Sequence, residues 1–217
     1  MSLIEWLIFF LCYNVVIFGG TQKLFVLAGI SSWKSLIPIY NIINLLNVIN
    51  RPKWWIILVF IPVINLIMIP VIWVELAKRF NHNSRLDRIL VIITFGLYLF
   101  YISYISKRTK YIIDISFSNF EKSVGSLVFA VVIATIVHNY LLQPFVIPTG
   151  SLEKTLRVGD FLLVSKFHYG ARIPSTVISF PMVHDTIPII KTRSYLKKPQ
   201  LPYIRIPGFQ EIKNNDI

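Results

Sequence analysis

Cysteine is almost missing from this sequence. Cys12 is the only one in 217 residues, which excludes an intrachain disulfide framework and a cysteine-based zinc cluster and leaves the redox compartment unreadable. Charge is scarce as well: 15% of residues are charged, against about a quarter in an average soluble domain. Acidic charge is scarcest, with 10 Asp and Glu beside 22 Lys and Arg. Histidine is limited to four scattered residues without paired carboxylates at ligand spacing, so the pattern contains no metal site, and nothing calls for a cofactor. No repeat at a fixed period and no low-complexity linker is present.

What the chain has instead is uncharged length. Charge-free runs extend over 17 residues from Trp6 to Gln22, 21 from Trp54 to Val74, 18 from Ile89 to Ser106 and 30 from Ser123 to Leu152. These are bilayer lengths, and they predict a membrane protein with several N-terminal transmembrane α-helices. The first run has Glu5 where a secretory leader has Lys or Arg, so it reads as a retained anchor. The segment SLIPIYNIINLLNVI, residues 35–49, interleaves Asn and Tyr with aliphatics at helical spacing and predicts an amphipathic helix along the interface. Trp54, Trp55 and Trp73 frame the second run as headgroup-level indoles do, and Pro62, Asn65 and Pro70 interrupt it, giving a kinked span or a re-entrant hairpin. The net charge of +12 does not point to nucleic acid, because 12 of the 22 basic residues lie between Lys23 and Lys122 beside apolar runs, where anionic headgroups are their partners. Each of the three intervening segments carries four of them, so charge counting does not orient the chain.

After Gln143 proline and charge return, and FVIP, FLLV and IPII have strand length. The predicted organisation is a multi-span membrane region over 1–122, an anchor over 123–143 and the start of a β-rich domain over 144–217. At the junction, Ser151 follows Gly150, which permits a sharp turn, and Pro148-Thr149, which favours an extended approach. Eight residues from Gln143 reach at most about 26 Å, so chemistry at Ser151 takes place near the bilayer surface. No G-x-S-x-G elbow is present, since Glu153 occupies the last glycine position. On local sequence alone, a serine after glycine in a loop is ordinarily structural.

The run IPTGSLEKTLRVGDFLLVSKFHYG resembles the nucleophile segment of the bacterial type I signal peptidases. In that family Ile-Pro-Ser-Gly-Ser-Met-x-Pro-Thr-Leu is followed by Gly-Asp and an apolar strand ending in Lys-Phe-x-Tyr-Gly. Ile147, Pro148, Gly150, Ser151, Thr155, Leu156, Gly159, Asp160, Lys166, Phe167, Tyr169 and Gly170 match. The motif spans 143–170, and a looser similarity to multi-span forms, including MVHDTIPII and YLKKPQLPYIRIPGF, extends over most of the chain. The resemblance implies a serine endopeptidase of the cell membrane that removes signal peptides from exported preproteins. Its partners are signal peptides and the lipid bilayer, without nucleic acid or metal. Ser151 is the implied nucleophile, and Thr149 with the Ser151 N–H the implied oxyanion hole.

Thr149 stands where many members have Ser and keeps the donor, while Leu152 and Lys154 replace Met and Pro. The family's general base, a lysine in a Lys-Arg-x-x-Gly-x-Pro-Gly-Asp segment, is absent, as is a later Gly-Asp-Asn-x-x-x-Ser-x-Asp-Ser segment. Asn215-Asp216-Ile217 resembles the opening of the strand before that lysine, so the chain reads as cut off ahead of it. Lys154 and Lys166 occupy positions the family does not use as base, and Lys197-Lys198 read as a solvated or headgroup-facing pair. His184-Asp185 is a loop pair rather than part of a triad with Ser151, because adjacent side chains diverge. His168 reads as packing at a strand end and His138 as an interfacial hydrogen-bonding group. Two other classes compete: a catalytically incomplete or degenerate membrane protein that binds signal peptides without cleaving them, and a transporter built on the Pro-interrupted run.

Overall fold

The structure, a computed structural model, describes residues 3–152, 155–176, 178–183, 185–188, 190–197, 200–211 and 213. It divides into two compact units, 1–123 and 124–217.

The first unit is helical. Its elements are α1 (Leu3–Leu27), a 3-10 turn (Ser32–Ser35), α2 (Pro38–Val48), α3 (Trp55–Phe60), α4 (Asn65–Arg79), α5 (Arg85–Ile93) and α6 (Tyr98–Phe100), which runs into a π-turn at Tyr101–Ile105. Helix α2 lies within the predicted amphipathic segment. Ile37 is extended, as a residue before proline prefers, and Pro38 supplies the preset φ of the first turn. Phe25, Phe80, Leu24, Leu46, Ile64 and Leu76 are fully buried and form the core of the unit. Gly19 and Gly20 let α1 approach the Phe100 ring, since a Cβ on Gly19 would lie 2.7 Å from it. Small residues serve the same close packing between membrane helices.

Two of the four predicted spans are broken. The run from Trp54 to Val74 divides into α3 and α4, because Pro62 forces Ile61 out of the helical region (ψ 122) and Val63 is left-handed (φ 71). Pro70, by contrast, sits inside α4 without ending it. The run from Ile89 to Ser106 divides at Phe95 and Gly96, both with positive φ, where Gly96 packs beneath the Trp73 indole. Among the described residues one helix is long and apolar enough to cross a membrane, Asn119–Leu141, and α1 carries a shorter apolar stretch, Leu11–Leu27.

The start of α5 is fixed by a capping box in which the Ser84 hydroxyl accepts from the Asp87 N–H and the Asp87 carboxylate accepts from the Ser84 N–H. Asp87 also accepts from Tyr98 Oη (2.8 Å) and faces His82 Nδ1 (3.4 Å). The fully buried His82 places Nε2 3.0 Å from the Ser106 hydroxyl. This network ties α5, α6 and the 106–109 segment together. Burial pushes the Asp87 carboxyl up, but hydrogen bonds from Ser84, Tyr98 and His82 outweigh it and hold the group at about 2. A carboxyl depressed from its ordinary 3.8 contributes stability that is fully present above about pH 4 and is lost as pH falls toward 2. Thermal unfolding in detergent is expected to lose about 2 kcal/mol of stability across that window. Asp87→Asn is expected to be less stable above pH 4 and to lose that acid dependence, whereas an unchanged acid slope would remove Asp87 as its cause.

The second unit contains most of α7 (Asn119–Ile136), its π-turn extension Val137–Leu141, strands β1 (Leu142–Val146) and β2 (Phe161–Ser165), and a 3-10 turn at Gly150–Leu152. β1 and β2 pair antiparallel from Leu142↔Ser165 to Val146↔Phe161. Beyond them the backbone is linked by isolated bridges, Arg172↔Arg205, Thr176↔Gln200, Ser179↔Tyr195 and Thr186↔Arg193. FLLV thus lies in a strand and FVIP ends one, whereas the described residues of IPII, namely Ile187, Pro188 and Ile190, lie in none, and Ile189 lies outside the described residues. Ile187, Pro188 and Ile190 belong to the turn enclosed by the last bridge, where Ile187 N–H donates to Thr192 O and Lys191 has φ 55. Pro188 lacks the N–H a ladder needs.

Candidate active site

Ser151 is presented by a loop closed at both ends by backbone hydrogen bonds. One step past Val146↔Phe161, Ile147 N–H donates to Asp160 O and Gly159 N–H donates to Ile147 O, each at 3.0 Å. Asp160 also folds onto the loop: its carboxylate accepts from the Arg157 N–H (2.8 Å) and its N–H donates to Arg157 O (3.1 Å). Gly159 has φ 94, a conformation open to glycine and strained for other residues. The Gly159-Asp160 pair of the motif is therefore the clasp of the loop that carries the serine.

Within the loop, Pro148 leads to a bend at Thr149 and then to the 3-10 turn Gly150–Leu152, which exposes Ser151. Thr149 is exposed as well, two residues away. Among the described residues neither Ser151 Oγ nor Thr149 Oγ1 has a hydrogen-bond partner. Among the described residues, both hydroxyls are available.

The lysines and histidines weighed from sequence fall elsewhere. Lys166, just past β2, donates through its backbone N–H to Leu141 O (2.8 Å), and its Nζ donates to the carbonyls of His138 (3.1 Å) and Asn139 (3.3 Å). A cation on the carbonyls that end a helix suits both the unpaired acceptors and the macrodipole. Burial pushes the Lys166 ammonium below its ordinary value, but its engagement is with the helix end. Lys166→Met is expected to lower the unfolding midpoint by several degrees, equivalent to about 1 kcal/mol, and an unchanged midpoint would contradict a capping role. The exposed His168 stacks on Phe167 (4.4 Å between centroids) and places Nδ1 2.5 Å from Ser165 Oγ. Asp185 and Lys197 are exposed. Lys154, His184 and Lys198 lie outside the described residues. Among the described residues no three His, Cys, Asp or Glu groups converge as a metal site.

Gly170 ends the motif with φ 87 and lies against the backbone of Ile206 and Gly208, where a side chain would clash. Arg205 Nε donates to Gly170 O at 3.0 Å. The end of the motif is thus pinned by the segment 205–208.

Residues 121–206 match the family described as signal peptidase, peptidase S26. That segment is similar to the signal peptidase family S26. Residues 33–114 match a family of unknown function, DUF5684. Among curated proteins, the Pseudomonas aeruginosa signal peptidase I is 52% identical over 42 residues, which cover 19% of this chain and 15% of that protein. The Haemophilus influenzae signal peptidase I is 44% identical over 57 residues, 26% of this chain and 16% of the relative. The Rickettsia massiliae signal peptidase I is 34% identical over 76 residues, 35% of this chain and 27% of the relative. The chain therefore spans well under a third of these relatives' lengths. No solved structure matches it. The matched segment takes in most of the long apolar helix, the serine loop and both strands, in keeping with a membrane-anchored fold.

Sequence reasoning passed over the His82–Asp87 network and the buried Arg79. The Ser84-x-x-Asp87 spacing was a readable signal for the capping box. Neither the five-residue spacing to His82 nor anything around Arg79 announced what those side chains meet.

Proposed function

We propose that the protein is a membrane-bound serine endopeptidase of the signal peptidase I type that removes signal peptides from exported preproteins. The observation that carries this reading is an exposed Ser151 on a clasped turn next to a membrane-length helix, inside a segment that matches peptidase S26. Ser151 Oγ attacks the scissile carbonyl as a base takes its proton, and the tetrahedral oxyanion accepts hydrogen bonds from Thr149 Oγ1 and the Ser151 N–H. Collapse expels the amino terminus of the mature protein, protonated by the same base, and leaves an ester on Ser151. Water then hydrolyses that ester. A serine needs such a base, and lysine serves only where burial leaves it neutral. The family resemblance assigns this role to a lysine in a segment that these 217 residues do not contain.

The finer topology belongs to the same proposal. Residues 1–122 form a multi-span membrane region, 123–143 the anchor, and 144–217 the N-terminal part of a β-rich peptidase domain on the extracytoplasmic side, with Lys107 to Lys122 on the cytoplasmic side. Strongly exposed apolar side chains such as Leu11, Val15, Leu86, Ile93 and Phe95 support lipid contact by the helical unit. A second reading, binding of signal peptides without cleavage, is favoured by one observation: Ser151 Oγ has no partner among the described residues. Preprotein cleavage by the natural full-length protein and its Ser151→Ala variant separates the two, since the first reading requires Ser151-dependent cleavage and the second requires none.

A further inference from the structure

Among the described residues of the helical unit, one buried cation lacks a counter-ion. Arg79, in the last turn of α4, is 7% exposed. Its guanidinium donates to the carbonyls of Ile112 (3.2 Å), Ile113 and Ile49 (3.1 Å), and no carboxylate of the described residues is within ion-pair distance. Its neighbours are neutralised. Arg51 grips Glu75 through two hydrogen bonds of 2.8 and 2.5 Å, and Lys78 and Arg88 share Glu121 at 2.8 and 3.0 Å. Carbonyl dipoles offset only part of the cost of desolvating a guanidinium. The three bonds also leave some of its five N–H donors free.

Arg79 forms part of the wall of a cleft of 220 Å³, together with Asn50, Arg51, Asp114 and Phe117. Asn50 is held left-handed (φ 59), and its side-chain amide has no partner among the described residues. Arg51 is committed to Glu75, so Arg79 is the attracting charge, and the exposed, solvated Asp114 opposes it weakly. Trp54 and Trp55 follow closely in sequence at the start of α3, and Arg51 lies over the Trp55 ring at 5.1 Å. Such indoles mark the headgroup level of a bilayer. The volume is below the roughly 300–1,000 Å³ of pockets for whole drug-sized ligands and suits a headgroup.

We infer that this cleft binds the phosphodiester of a phospholipid headgroup, with Arg79 and Asn50 donating to its phosphate oxygens. The site is independent of the peptidase reading and lies outside the S26 segment. Its test uses the protein in a phosphate-free maltoside detergent, with binding followed by tryptophan fluorescence. The probes are dihexanoyl phosphatidylglycerol, inorganic phosphate and dihexanoylglycerol. Saturable binding of the phosphatidylglycerol is expected, at least tenfold tighter than inorganic phosphate and absent for dihexanoylglycerol. Because replacing Arg79 also removes its three carbonyl bonds, the variants are made at exposed positions. Asn50→Asp, which tolerates the left-handed backbone, places a carboxylate beside Arg79 and is expected to weaken binding about tenfold or more. Asp114→Asn removes the opposing charge and is expected to tighten binding a few-fold. Inorganic phosphate binding as tightly as the lipid would overturn the lipid source. Absence of saturable binding, or an affinity unmoved by both variants, would overturn the site.

Discussion

Replacing Ser151 with alanine is expected to reduce preprotein cleavage by the natural full-length protein more than about 10³-fold, because no other group takes over a removed nucleophile. The expectation rests on where the serine sits. Its turn is held by the Ile147–Asp160 backbone pair and by Asp160 folding onto Arg157, so removing one hydroxyl from an exposed site leaves the clasp intact. The unfolding midpoint of Ser151→Ala is therefore expected to match the parent, and preprotein binding should persist while turnover fails. A variant that still cleaves at a tenth of the parent rate would exclude Ser151 as nucleophile.

The second large effect concerns Thr149. Its hydroxyl is exposed and unpartnered among the described residues, two positions before the serine. Thr149→Val preserves the branched shape and deletes the donor. Loss of one oxyanion-hole donor costs about 10²–10³ in kcat, since the interaction forms with the charge that develops in the transition state. The fall is expected in kcat with KM nearly unchanged, and Thr149→Ser is expected to restore most of the rate. A Thr149→Val enzyme with normal kcat, or one altered only in KM, would mean that the hydroxyl does not face the oxyanion.

The serine loop was the most legible part of the chain, because its constraints are local. Gly159 had to be glycine for a φ of 94, and Asp160 beside it could fold back within three residues. β2 was legible as the run FLLV, while β1 was legible only at its end, Phe145-Val146, because Leu142 and Gln143 read as part of the anchor. The helical unit was less so. Composition announced apolar length but not continuity, and Pro62 and Pro70, alike in sequence, act differently: the first ends α3 while the second is carried inside α4. Packing decides between them, and single-sequence periodicity does not contain it. IPII had the composition of a strand, yet its described residues lie in a turn where Pro188 cannot pair. His82 and Asp87 meet where the chain reverses after Asn81, left-handed at φ 65, and no pattern of residue types anticipated that pairing or the isolation of Arg79.

The most direct test of the central claim is to find the acylated residue. The natural full-length protein would be incubated with a signal-peptide analogue that carries a small residue at the cleavage position and a serine-reactive carbonyl, then digested and mapped by mass spectrometry. The account predicts a single adduct on Ser151, absent from Ser151→Ala and slow to form in Thr149→Val. An adduct on any other residue, or undiminished labelling of Ser151→Ala, would contradict it.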